Sequence, residues 1–218
     1  ESYLIDTQQE RELGASRDAE LRKTMKFAAD PRMNQRLEAI GRKIARASDR
    51  QDVTYHFAVV DNRDLNAFAV PGGYVYIHSG LMQAANDEEL AGVIAHEIGH
   101  IAARHSVKQL QAVMGYQLVL GIITGATGTD SLNSAMNIVF NLVNLGYSRK
   151  DEFLADKLAV RYARRAGYSP LGMVTFFQKL QKEAEARGPT IDLVFLSSHP
   201  ALDQRISRID EEMRAGYQ

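Results

Sequence analysis

An α+β fold, mainly helical with a small sheet of about three strands, is what this sequence predicts. Three observations carry it. Short runs rich in β-branched and aromatic residues between residues 53 and 78 read as strands. Apolar residues recur at helical spacing before that stretch, and every periodic segment after residue 80 reads as helical. No repeat and no linker-like composition interrupts the chain, so residues 1–218 read as one domain. At 218 residues and 45% hydrophobic content, a sizeable core can be buried.

The elements follow in order. Residues near 7–28 are charged and mixed and read as a helix, broken by Asp30-Pro31. Residues 32–47 repeat Met33, Leu37, Ile40 and Ile44 at helical spacing. Residues 53–60 read as a strand. Asn66 to Val70 and Tyr74 to His78 read as two more, joined by Pro71-Gly72-Gly73. Asn86 is a candidate N-cap with Glu89 as its capping-box partner, opening a helix that runs to about Arg104. Its interior holds Ala91, Gly92, Ala95, Gly99, Ala102 and Ala103. Glycine inside a helix costs about 1 kcal/mol against alanine, so this run of small residues predicts close helix packing.

Between residues 106 and 147 lie two apolar runs. Ala112 to Ile123 is interrupted by Gly115, Gln117 and Gly121, and falls short of the ~20 residues that span a bilayer. Ser134 to Leu145 carries Asn137, Asn141 and Asn144 on one face. They read as an amphipathic helical pair around a loop from Gly125 to Ser131, either a packed hairpin or a mobile lid. Ser148 and Asp151 have capping-box spacing at the start of a further helix, whose face at Ala155, Ala159 and Ala163 is thin.

Net charge is −1 and no block of like charges stands out, which argues against nucleic acid as a partner. Peripheral membrane association through the amphipathic pair remains compatible with this pattern. The absence of cysteine removes disulfides, thiolate metal sites and a cysteine nucleophile. No signal-like segment opens the chain at Glu1, which reads as a mature or shortened form.

The run His96-Glu97-Ile98-Gly99-His100 carries the chemistry. Two imidazoles one helical turn apart suit a catalytic zinc, and the glutamate beside the first is left free to act as a base. Two histidines do not complete such a site. The extended form of the motif would place further residues at Ala103 and Ser106, and His105 misses that register by one position. Its side chain would point about 100° away on an ideal helix, so it reads as an ordinary helix-end histidine. Without cysteine, a carboxylate from another helix is the remaining common choice. Glu152 is the best candidate, with Asp156 four residues on along the same face. Glu152 would ligate the ion. Asp156 would accept the outer N–H of a ligating histidine. A solvated, charged helix start would look the same, and spacing alone does not choose between them. His56 and His78 read as strand residues without metal roles.

Four ordered segments carry a resemblance. They are Asn66-Ala67-Phe68-Ala69-Val70-Pro71-Gly72-Gly73, His96 to His100, Ser148-Arg149 through Glu152 to Asp156, and His199-Pro200 followed by Arg205-Ile206. Together they resemble the gluzincin HExxH metalloproteases, the family of CAAX prenyl proteases, HtpX-type membrane proteases and soluble periplasmic members of the BepA type. The resemblance implies a zincin-like domain with one zinc ion per chain, and Glu152 as third ligand. It implies His199 and Arg205 as donors to the developing oxyanion. His199 has other readings: occupant of the fourth zinc position in a latent enzyme, as in BepA-like members, or a structural histidine before Pro200. Integral-membrane members carry spanning helices where this chain has residues 106–147. By the same resemblance the substrate is a polypeptide and the location periplasm or cell envelope. An extended substrate would add to the strand pair through Asn66, Ala67, Phe68 and Ala69, with Gly72 and Gly73 admitting close backbone approach or simply making a tight hairpin. The expected function is a zinc endopeptidase acting on unfolded or misassembled proteins in envelope quality control. The rival is a latent zinc protein acting as a holdase, plugged by His199 or by the lid. A small-molecule metallohydrolase fits less well, since it needs a closed pocket rather than a peptide-aligning edge.

Overall fold

The computed structural model describes residues 4–112, 121, 137, 146–187, 195, 198–200 and 202–215. The segments from Ala112 to Ile123 and from Ser134 to Leu145, with the loop between them, fall almost wholly outside the described residues.

Helix α1 (Thr7–Thr24) opens on a capping box in which Asp6 accepts from the Gln9 amide and the Gln9 side chain returns to Asp6 N–H. It ends before residue 28 because Phe27 and Ala28 pair with the neighbouring strand instead. Phe27 bridges Val60, and Ala28 N–H donates to Val59 C=O at 2.9 Å. Asp30-Pro31 proves to be a start signal. Asp30 caps α2 (Pro31–Ala47) through the Arg32 and Met33 amides, and Pro31 occupies the first turn, where no N–H is needed.

Strand β1 (His56–Val60) starts three residues later than its composition suggested. Upstream, Tyr55 turns its hydroxyl to Ser48 Oγ and the Arg50 carbonyl. β2 (Ala67–Val70) and β3 (Tyr74–His78) form a hairpin. The sheet order is β1-β3-β2, with β1 parallel and β2 antiparallel to the central β3. One face carries Ala67, Ala69, Val75 and Ile77 into the main core, shared with Leu37, Ile40 and Ile44 of α2. The other face carries Phe68, Val70 and Tyr76, which pack with Leu21 of α1. A short α3 (Ser79–Ala84) follows β3.

Helix α4 (Asp87–Ala102) is the centre of the molecule. Asn86 and Glu89 form its capping box, and every residue from Glu89 to Ile101 is buried. A helix buried on all sides needs thin faces. A Cβ on Gly92 would stand 2.8 Å from Met173 N, and one on Gly99 would stand 2.8 Å from Ala155 C=O. The partners at these contacts are α6 (Leu171–Arg187) and α5 (Arg149–Arg165). Helix α7 (Leu202–Ala215) packs on α5 and α6. No helix among the described residues is long and apolar enough to cross a membrane.

Candidate metal centre

Helix α4 supplies His96, Glu97 and His100. The i, i+4 spacing stacks the two imidazoles on one face, with their Nε2 atoms 3.0 Å apart. Helix α5 is opened by Ser148, which accepts from the Asp151 amide, and presents Glu152 in its first turn and Asp156 one turn later. The Gly99–Ala155 contact brings the two helices close enough for these side chains to meet. Glu152 Oε1 lies 3.2 Å from His100 Nε2, and its Oε2 lies 3.4 Å from His96 Nε2. Asp156 Oδ1 lies 2.9 Å from His96 Nδ1, the outer nitrogen of that ring. His199, just ahead of α7, turns Nδ1 to within 3.0 Å of Glu152 Oε1 and 3.2 Å of His96 Nε2. Its Nε2 is 3.5 Å from Glu97 Oε1.

The donor set fits a metal ion. His96, His100, Glu152 and His199 each offer one atom, and all four are buried. A tetrahedral ion with bonds near ~2.1 Å separates its ligand atoms by ~3.4 Å. One ligand atom from each of the four lies within 4.8 Å of the others, and the shortest approaches among these residues run from 3.0 to 3.4 Å. Charge points the same way: Glu97, Glu152 and Asp156 are all buried, and Arg205 is the buried guanidinium that pairs with Glu152 and Asp156. Among the described residues, both Glu97 oxygens are buried without a hydrogen-bond partner, a costly arrangement for a group with no task.

Arg205 is fully buried and clamps the carboxylates. Its Nε and Nη2 each donate to Asp156 at 2.7 Å. Its Nη1 reaches Glu152 Oε2 at 2.8 Å and the His199 carbonyl at 3.2 Å. The guanidinium carbon lies 4.4 Å from the centre of the Phe177 ring.

Burial would raise both Glu152 and Asp156. His199 and Arg205 outweigh it at Glu152, and Arg205 outweighs it at Asp156, so both sit below the ordinary carboxylate range. Burial does prevail at Glu97, whose pKa is raised. Burial and Arg205 act to lower His96, but Glu152 and Asp156 push it up to about 9. Burial carries His100 well below its ordinary value. A cation and a proton would compete for the same imidazole lone pairs.

Two residues around the centre were not legible as site residues. His105 sits against His100, with the two Nδ1 atoms 2.8 Å apart. The helical register does not apply to it, because α4 ends at Ala102 and Arg104 takes a left-handed φ of 56°. Tyr147 stacks its ring on His100 with centroids 3.8 Å apart. Its only sequence signal is an aromatic residue just before the Ser148 N-cap, the position of a hydrophobic staple.

Of the strand residues, Ala69 and Val70 line a small cavity together with His100 and Arg104, so β2 lies beside the motif helix. Asn66 is buried at its start. Ala67 faces the core, and Phe68 stacks on Tyr76 at 4.8 Å on the opposite face. Gly72 and Gly73 have φ of 85° and 106°, and a Cβ there would meet Glu10 C=O and Thr54 C=O. The close approach these glycines admit is that of the chain's own backbone. His56 and His78 lie in β1 and β3, outside the donor set.

Comparison with known proteins decides the family. The model of peptidase family M48 matches residues 31–213. This chain belongs to peptidase family M48. The M48 domain is 33% identical over 183 residues to the metalloprotease LoiP of Escherichia coli, covering 83% of this chain and 70% of LoiP. It is 28% identical over 212 residues to the β-barrel assembly-enhancing protease of Escherichia coli, covering 91% of this chain and 42% of that protein. It is 30% identical over 149 residues to the mitochondrial metalloendopeptidase OMA1 of Saccharomyces cerevisiae, covering 67% of this chain and 43% of OMA1. The M48 chain thus spans less than half the length of the last two. Family membership and the buried His-His-Glu-His group make it a metallopeptidase.

Proposed function

We propose that this M48 protein is a zinc endopeptidase that cleaves unfolded or misassembled polypeptides in the cell envelope, its residues forming a single protease domain. The observation that carries the reading is the convergence of His96, His100 and Glu152 within 3.0–3.4 Å, beside the buried Glu97, whose oxygens take no hydrogen bond among the described residues. A relative named for enhancing β-barrel assembly supports the envelope setting. A second relative, named only as the metalloprotease LoiP, supports the chemistry.

His96, His100 and Glu152 would hold the ion. Zinc, when bound, supplies Lewis-acid polarisation of the scissile carbonyl and draws the pKa of water toward ~7. Glu97 takes a proton from the attacking water and delivers it to the leaving amine, a task suited to a carboxylate whose proton affinity burial has raised. Asp156 holds the outer N–H of His96, which fixes that ring's tautomer. The partners of Arg205 favour a clamp on Glu152 and Asp156 over a direct contact with the oxyanion. That leaves His199 as the side-chain donor to the oxyanion when its ring swings from the donor set. The β2 edge beside His100 would align an extended peptide by main-chain hydrogen bonds.

The position of His199 Nδ1 favours a second reading, in which the resting enzyme is latent and His199 fills the fourth ligand position. Cleavage of an unfolded protein, followed with and without chelator, tests both. Glu97→Gln should keep its zinc and lose cleavage by about 10²-fold or more. Undiminished cleavage in that variant removes Glu97 from its role. Latency requires His199→Ala to cut faster than wild type. Inertness of both proteins, with aggregation still suppressed, would favour the holdase.

A further inference from the structure

The two ligating histidines of α4 differ in what their outer nitrogens meet. His96 Nδ1 faces a carboxylate, Asp156, at 2.9 Å. His100 Nδ1 faces a second imidazole, His105 Nδ1, at 2.8 Å. A carboxylate, carbonyl or water is the usual partner in that place. His105 is 1% exposed, and its Nε2 lies 3.4 Å from Asp151 Oδ1, the residue before Glu152. At that distance the second contact is an electrostatic approach rather than a formed hydrogen bond.

We propose that His105 is a positioning residue for the metal. It accepts the proton on His100 Nδ1, and so holds the His100 Nε2 lone pair toward the donor set. The inference rests on the reading of His100 as a metal ligand. One proton lies between the two Nδ1 atoms. A ligating Nε2 is unprotonated, so that proton belongs to His100. His105 then carries its own proton on Nε2, toward Asp151. The contact ties the end of α4 to the start of the helix that presents Glu152.

The chain builds this contact deliberately. The left-handed Arg104 turns the backbone after α4 and re-aims His105 at His100. Arg104 is itself pinned, its Nε donating to the buried Glu10 at 2.8 Å and its Nη2 to the Ile5 carbonyl. The Tyr147 ring covers His100 at 3.8 Å with an interplanar angle of 18°, and its hydroxyl meets Ser106 Oγ at 3.0 Å. Boxed in this way, His100 has no room to seek another partner. Removing His105 would strand a buried N–H.

The test is zinc titration of chelator-stripped protein, with the visible spectrum of the cobalt-substituted form as second readout. His105→Leu should weaken zinc binding about 10- to 100-fold and shift the cobalt bands. His105→Asn can place its Oδ1 where Nδ1 stood, and should recover most of the affinity and the wild-type spectrum. Wild-type affinity in His105→Leu overturns the proposal, and so does an equal loss in both variants, which is what a space-filling role would give. Should the leucine variant not fold, long-range ¹⁵N–¹H spectra of the zinc-loaded wild type decide. Protonation of His100 at Nδ1 and of His105 at Nε2 supports the proposal, and a proton on His105 Nδ1 refutes it. His100→Ala separates the two levels: if it binds zinc normally, the metal-centre reading fails as well.

Discussion

Gly99 shows how far one missing methyl group reaches. Its hypothetical Cβ would stand 2.8 Å from the Ala155 carbonyl, a backbone atom that moves only if α5 moves. Alanine would gain about 1 kcal/mol in helix propensity but would overpack the interface by about 1–3 kcal/mol. We expect Gly99→Ala to lower the urea midpoint and to weaken zinc binding, since a displaced α5 carries Glu152 with it. A variant as stable as wild type with unchanged zinc affinity would show that the helices part without cost. At this scale the sequence was most legible where side chains repeat on a helix. His96, His100, Glu152 and Asp156 sit at i, i+4 pairs, and the structure brings all four together. His105 stays outside the donor set, as expected, but its approach to His100 was not legible because it depends on a left-handed arginine. Non-glycine residues rarely adopt that conformation, and nothing in Arg104 advertises it. The clamp made by Arg205 was equally hidden, because a guanidinium so far downstream of the two carboxylates has no periodic relation to them.

Among the elements, α4 depends on its first turn as much as on its interior. Glu89 is buried beneath Lys179, whose Nζ lies 2.6 Å from it, and accepts a hydrogen bond from the Asn86 amide. Burial opposes its charge, yet Lys179 and the Asn86 N–H hold its carboxyl below the usual range. The unfolded chain therefore binds this proton more readily. The stabilisation is complete above the unfolded value near ~4.3 and is lost as pH falls through the lower folded value. Wild type should lose more stability than Glu89→Gln on going from pH 6 to pH 3, as read from urea midpoints. Parallel curves for the two proteins would deny the linkage. Element identities were readable from periodicity and caps, and ends were less so. α1 stops at Thr24 because Phe27 and Ala28 are claimed by β1. Such pairing is a tertiary event that no local pattern announces.

Across the whole molecule, α1 stands ahead of the residues that match the family, yet it is bolted to the site. Glu10 receives Arg50 at 2.9 and 2.7 Å, Arg104 at 2.8 Å and the Gly72 amide at 3.3 Å. One buried carboxylate thereby joins α1, the β2–β3 turn and the residue that aims His105. Breaking a buried ion pair by removing one partner costs about 3–5 kcal/mol. Glu10→Ala should therefore lower the melting temperature sharply, and should also reduce zinc affinity through Arg104. Loss of stability with unchanged affinity would confine α1 to a scaffold role.

Three stretches of chain that lie far apart in sequence contribute to one donor set: α4, the start of α5 and the turn before α7. A cation held there is a reversible cross-link, closing two long loops at once and withdrawing their freedom from the unfolded ensemble. Chelation should then do more than silence catalysis. It should unfasten the C-terminal helix, whose amides would exchange with solvent faster while those of the sheet stay protected. In a compartment where zinc is scarce, supply of the ion would set how much of this protein survives, as well as how much of it works.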